Sequence, residues 1–150
     1  MIKKRIWFSS ASLIVLALLV ATCGSASSTP EGEEATVLGF PKNADGYADI
    51  SVQQVAELLD KEDVALVNTH IPYEGELPGT DLFIPYDKIA DYQDQLPDKD
   101  APIVLYCRSG SMSTSAAKEL VELGYTNVME VDGGFNAWKA AGYELLDENR

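Results

Sequence analysis

Two uninterrupted apolar runs, Val64-Ala65-Leu66-Val67 and Ile103-Val104-Leu105-Tyr106, do most to limit what this chain can become. A strand with one wet face alternates apolar and polar residues; a run with no alternation must be covered on both faces, which is the situation inside a parallel sheet flanked by helices. Helical patterns lie between such runs. Ser51 is a candidate N-cap with Gln54 three residues on, and Val52, Val55, Leu58 and Leu59 then share one helix face. Tyr47-Ala48-Asp49-Ile50 reads as an edge strand and Leu82-Phe83-Ile84 as a short strand, with a short amphipathic helix over 89–96. A helix over about 113–123 stops at Gly124, a residue suited to the left-handed cap. Val128-Met129-Glu130-Val131 is the last strand, and Asp132-Gly133-Gly134 turns into a final helix carrying Phe135, Ala137 and Trp138 and ending at Gly142. Strands alternating with helices specify an α/β domain with a mainly parallel sheet, whose sites form at the carboxyl ends of the strands.

Cys107 stands at such an end. It follows Tyr106 and opens Cys107-Arg108-Ser109-Gly110-Ser111-Met112-Ser113, a loop of small residues that runs into a helix. Backbone N–H groups curled around a sulfur, with a helix N-terminus behind them, favour its anionic form and so make a reactive thiolate. The alternative at this point is an inert core thiol.

The N-terminus bears on where that cysteine works. Lys3, Lys4 and Arg5 precede an apolar run from Ile6 to Val20, and Val20-Ala21-Thr22-Cys23-Gly24 stands where a cleavage site would lie. Residues 1–22 therefore read as a signal peptide. They resemble a bacterial lipoprotein signal, which implies that Cys23 is lipidated and anchors the mature chain outside the cytoplasm. Thr22 departs from that pattern, which usually has Gly, Ala or Ser there. Cleavage after Ala26, or an uncleaved anchor, are the alternatives. Residues 23–45 read as a flexible acidic tether, 46–146 as the folded domain and 147–150 as a C-terminal tail.

The chain has two cysteines and a formal net charge of −13, and loss of the three cations in the leader makes the remainder more acidic still. That charge argues against nucleic acid and anionic lipid surfaces as partners; the expected macroscopic partner is the membrane met through the anchor, with the domain a monomer. With Cys23 taken by the anchor, Cys107 has no internal disulfide partner. A lone inert thiol is a poor fit to an oxidising compartment.

The Cys107 loop, Gly124-Tyr125-Thr126-Asn127-Val128 and Val131-Asp132-Gly133-Gly134-Phe135-Asn136-Ala137-Trp138 together resemble the rhodanese family of sulfurtransferases. Leu77-Pro78-Gly79-Thr80 with Ile84-Pro85 resembles a further family region. The resemblance implies a single domain with a five-stranded, mainly parallel sheet and helices on both faces. It also implies that Cys107 takes a sulfane sulfur from a small donor such as thiosulfate or a persulfide, holds it as a Cys107 persulfide, and passes it to a thiol or protein acceptor. The loop from Arg108 through Ser109, Gly110, Ser111 and Met112 to Ser113 would bind the persulfide by its amides and hydroxyls, with Arg108 orienting an anionic donor. The other expected partner is thus a small sulfur-containing substrate, and no metal or organic cofactor is implied.

Two positions depart from the family pattern. Asn68-Thr69-His70 stands where many members have Asp-x-Arg, and Met112 stands where thiosulfate-using members often have arginine. Both make the mouth of the site less cationic. His70 and Asn68 are candidates for its edge, and His70 is the only imidazole available as a base. A Cys-x5-Arg phosphatase is set aside because the corresponding position is Ser113, and a copper site of His70, Cys107 and Met112 because it offers one imidazole only. A non-catalytic binding or regulatory module of the same family is the alternative function.

Overall fold

The computed structural model of the chain describes residues 35–147. In order they form a hairpin of β1 (Thr36–Val37) and β2 (Phe40–Pro41), then β3 (Ala48–Ile50), α1 (Val52–Leu59), β4 (Ala65–Asn68), β5 (Leu82–Phe83), a 3-10 helix (Tyr86–Tyr92), β6 (Ile103–Tyr106), α2 (Ser111–Glu122), β7 (Val128–Val131) and α3 (Gly134–Ala140). The leader, Cys23 and most of the tether lie outside the described residues, as do residues 148–150 of the tail. Among the described residues no helix is long and apolar enough to cross a membrane.

The sheet has the order β3-β7-β6-β4-β5, every neighbouring pair parallel, with β6 at its centre. The apolar runs are continuous because both faces of the sheet are covered. Val104 and Tyr106 point into one core with Val52, Val55 and Leu58 of α1 and Phe135 and Trp138 of α3. Ile103 and Leu105 point into the other with Ala116, Ala117 and Leu120 of α2 and Ile89 of the 3-10 helix. The five-stranded α/β arrangement expected from the sequence is the one formed.

Local chemistry sets the boundaries. Ser51 and Gln54 close a full capping box at the start of α1, each side chain bonded to the other's backbone N–H. Gly124, with φ of +91°, ends α2 in a Schellman turn: its N–H donates to Val121 and that of Tyr125 to Leu120.

Two expectations are corrected. The segment read as a helix over 89–96 is instead a 3-10 helix over Tyr86–Tyr92, entered from the extended Pro85. Pro97 disfavours helical backbone at Leu96, so the turn cannot run on to the expected end. The tether is also shorter than 23–45. Val37 is fully buried in the α1/α3 core, and Leu38 and Gly39 both take positive φ to close the β1–β2 hairpin. Its signal was a single apolar pair, Val37 and Phe40, around one glycine.

A close backbone approach joins α3 to the cysteine loop. Gly134 has φ of +53°, and a Cβ there would lie 2.0 Å from the Cys107 carbonyl oxygen. Phe135 N–H donates to that oxygen at 2.9 Å and Asn136 N–H to the Arg108 oxygen at 3.0 Å. Gly134→Ala is expected to push α3 off the loop, destabilising the fold by about 3 kcal/mol or more. Urea unfolding checks this, and a loss below about 1 kcal/mol would mean that the loop yields without cost.

Candidate active site

Strand register brings the site together. Asn68 at the end of β4 lies beside Tyr106 at the end of β6, so the residues that follow each strand emerge next to one another. The segment after β4 is then tied down by Tyr106. Its backbone oxygen accepts from Thr69 N–H at 2.8 Å and Thr69 Oγ1 at 2.9 Å. Its phenol oxygen accepts from Leu77 N–H at 3.1 Å and lies 2.7 Å from Thr80 Oγ1. Burial pushes that phenol well above the usual tyrosine range, which keeps it a neutral donor and acceptor.

Asn68 does not present its side chain to the site. Its Oδ1 accepts from His70 N–H at 3.0 Å and its Nδ2 donates to Gly75 O at 3.1 Å, which folds the loop back on itself. That fold carries His70 into the wall of a pocket of about 210 Å³ lined by His70, Cys107, Arg108, Ser109, Ser111 and Met112. His70 is 2% exposed and packs edge-on against Phe135. Its Nδ1 is buried without a hydrogen-bond partner among the described residues, and its Nε2 lies 3.3 Å from Glu74 Oε2.

Cys107 forms the floor, only 1% exposed. Gly110 N–H donates to Sγ at 3.1 Å, and Ser113 Oγ lies 3.4 Å from Sγ. Gly110 has φ of +97°, a conformation that turns its N–H back toward the sulfur and starts α2 at Ser111. The partial positive charge of the 12-residue α2 therefore lies at the cysteine. The sequence led us to expect several loop amides on the sulfur. The structure places one there, because the remaining loop turns aside to enter the helix.

Arg108 is exposed and directed to the rim, where Nη1 donates to Glu74 Oε1 at 3.2 Å and Oε2 at 3.4 Å. Glu74 thus faces both the Arg108 guanidinium and the His70 imidazole, and the sequence reading missed it. Its signal was faint: one acid four residues beyond the single histidine.

A second carboxylate was also missed. Glu130 on β7 is 2% exposed and accepts a hydrogen bond from Ser113 Oγ at 2.6 Å. Removal from water pushes its carboxyl up to about 7, with Asp132 and Asp49 adding in the same direction and the Ser113 hydrogen bond opposing. Asp49 is its register neighbour on β3, and one oxygen each of Asp49, Glu130 and Asp132 fall within 4.8 Å of one another. A charged residue inside a strand otherwise made of Val128, Met129 and Val131 was the signal that marked it.

One cysteine in a small-residue loop at the carboxyl end of the central strand, backed by a helix N-terminus, places the chain among α/β domains with a cysteine-centred site. The chain belongs to the rhodanese-like family: residues 51–141 match the description Rhodanese-like domain. It is 38% identical over 104 residues to the thiosulfate sulfurtransferase GlpE of Pseudoalteromonas translucida, covering 67% of this chain and 97% of that one. A sulfurtransferase of Allochromatium vinosum is 37% identical over 92 residues, covering 59% of this chain and 84% of its own. Among solved structures, a rhodanese-like domain protein from Staphylococcus aureus superposes with a TM-score of 0.58 at 25% identity, over 68% of this chain and 98% of that one. These relatives fall in the class that the sequence resemblance implied.

The raised Glu130 carboxyl makes the fold pH-dependent. Below pH 4.5 the folded and unfolded chains both hold that proton; between there and about 7 only the folded chain does; above 7 the folded chain bears a buried charge. Stability from this group is thus lost as pH rises through the window. Relative to wild type, Glu130→Gln is expected to gain on the order of 3 kcal/mol between pH 4.5 and pH 8, read from unfolding curves at several pH values. A constant difference across the range would place the carboxyl at its ordinary value.

Proposed function

We propose that the protein is a sulfurtransferase that carries a sulfane sulfur on Cys107 as a persulfide. The observation that carries this reading is the sulfur on the pocket floor, facing Gly110 N–H at 3.1 Å and the Ser113 hydroxyl at 3.4 Å. Donors placed against a sulfur before reaction lower the energy of the anion that forms there. The family membership and the thiosulfate sulfurtransferase relative support the same chemistry. Cys107 would attack the outer sulfur of a donor, and the donor's remaining fragment would leave with the bonding pair. A thiophilic acceptor, a small thiol or a protein thiol, would then take the outer sulfur and release Cys107 as a thiolate. No cofactor is required by this cycle.

The donor class follows from the rim. Glu74 neutralises Arg108 and lies against His70, and Met112 adds an apolar wall, so a dianion gains little on entering. A persulfide of a small thiol suits that mouth better than thiosulfate does. Intact mass is the test, with the protein incubated separately with thiosulfate and with glutathione persulfide. A gain of about 32 Da that cyanide or reductant reverses, and that Cys107→Ser lacks, is expected, with the persulfide loading faster. No gain from either donor on folded, reduced protein would move the function to a non-catalytic binding module.

We also read the chain as extracytoplasmic and held to a membrane through lipid on Cys23. The basic, apolar and Val20-Ala21-Thr22-Cys23 order of the leader supports this. Cell fractionation of the full chain should find it with membranes, and Cys23→Ser should release it or leave it unprocessed. Recovery of both forms in the cytosol would overturn the reading.

A further inference from the structure

Ser113 has one hydroxyl hydrogen and three acceptors within reach: Glu130 Oε1 at 2.6 Å, Gly110 O at 3.0 Å and Cys107 Sγ at 3.4 Å. Where that hydrogen lies depends on Glu130. While Glu130 is a carboxylate, the short bond to Oε1 takes it, and the sulfur receives nothing from the hydroxyl. Once Glu130 is a carboxylic acid, its own O–H donates to Ser113 Oγ, and the Ser113 hydrogen turns to Sγ.

We propose that Glu130 is the proton store of Cys107, exchanging a proton with the thiol through the Ser113 hydroxyl. The place of this exchange in a reaction cycle rests on the sulfurtransfer reading; the exchange itself does not. In the forward step the Cys107 S–H bond breaks, its proton passes to Ser113 Oγ, and the Ser113 hydrogen passes to Glu130 Oε1. The sulfur keeps the electron pair of the broken bond, and the carboxylate becomes a carboxylic acid. One negative charge moves from oxygen to sulfur and none is created. The sulfur then attacks the sulfane sulfur of the donor, and the donor fragment departs with the electrons of the S–S bond. After the acceptor has taken the outer sulfur, Cys107 recovers its proton by the reverse route.

The surroundings favour this division of labour. The side chains on Glu130 from α2 and β6 are Ser113 and neutral apolar groups such as Leu105, its register neighbour. The charges acting on it come from Asp49 on β3 and Asp132 just beyond β7, both negative. Burial and like charge make the acid form of Glu130 accessible near neutral pH, so its carboxylate can take up a proton there. Burial at 2% exposure also keeps water from supplying the proton directly. Glu130 acts through Ser113 and is a positioning residue; Ser113 touches the reacting sulfur.

The test is the rate of Cys107 alkylation by iodoacetamide against pH, followed by intact mass on the full chain in mild detergent. Iodoacetamide is neutral and reads thiolate without any sulfur transfer, so failure of the sulfurtransfer reading leaves this measurement intact. In wild type the thiol and carboxyl should titrate as a coupled pair, giving two inflections. Glu130→Gln, whose amide donates to Ser113 Oγ as the acid would, should give one. Ser113→Ala, which breaks the path while leaving the carboxyl, should also give one. With the persulfide donor, Glu130→Gln should lower kcat by about 10- to 100-fold with KM unchanged. Where a variant does not fold, the wild-type protein still decides. Alkylating Cys107 should shift the midpoint of the Glu130 carboxyl band in a pH-resolved infrared titration. Two inflections surviving in Ser113→Ala, identical profiles for wild type and Glu130→Gln, or an unmoved carboxyl band would each overturn the proposal.

Discussion

The domain hangs on two hydrogen bonds, from the first amides of α3 to the carbonyl oxygens of Cys107 and Arg108. They hold the chain at the end of the central strand so that it turns back over the sheet instead of continuing outward. They satisfy the carbonyls of Cys107 and Arg108, while the N–H that meets the sulfur is that of Gly110. Gly134 makes the approach possible because a side chain at that position would overlap the Cys107 carbonyl. Fold and reactivity thus share one contact. The amides that join α3 to the loop bond to the backbone of the cysteine itself and of its neighbour Arg108.

Around this fixed loop the pocket wall is assembled from the segment after β4, and Tyr106 is its anchor. Many members of the family have an Asp-x-Arg where this chain has Asn68-Thr69-His70. A carboxylate and a guanidinium meet at the site nonetheless, contributed by Glu74 and Arg108 from either side of the pocket. Their placement at the rim alters their effect. A pair half in water screens itself and its surroundings, so the mouth is close to neutral in a protein whose net charge is −13.

What the sequence made legible was what local periodicity and capping dictate. The covered strands, the Ser51 box, the Gly124 stop and the cysteine at a strand end all follow from patterns a few residues long. The Cys107 loop singled out in the sequence lines a pocket, and the parallel register of β4 and β6 brings His70 beside it. The missed features depend on contacts between distant segments. Glu74 and Arg108 are 34 residues apart, and Ser113 and Glu130 are 17 apart. Nothing in either neighbourhood names the partner. The hairpin at 36–41 escaped for a related reason: its apolar pair is too short for a period, and its stability comes from Val37 reaching a core built from later segments.

The depth of Cys107 has its own consequence. As a free thiol it lies at the bottom of a pocket of about 210 Å³ with 1% of its surface accessible. Any reagent that meets the resting thiol must do so through that pocket. On the proposed sulfur-carrying role, adding one sulfur would extend the reactive end by about 2 Å, the length of an S–S bond. Contact by an acceptor would then read out whether the carrier is charged.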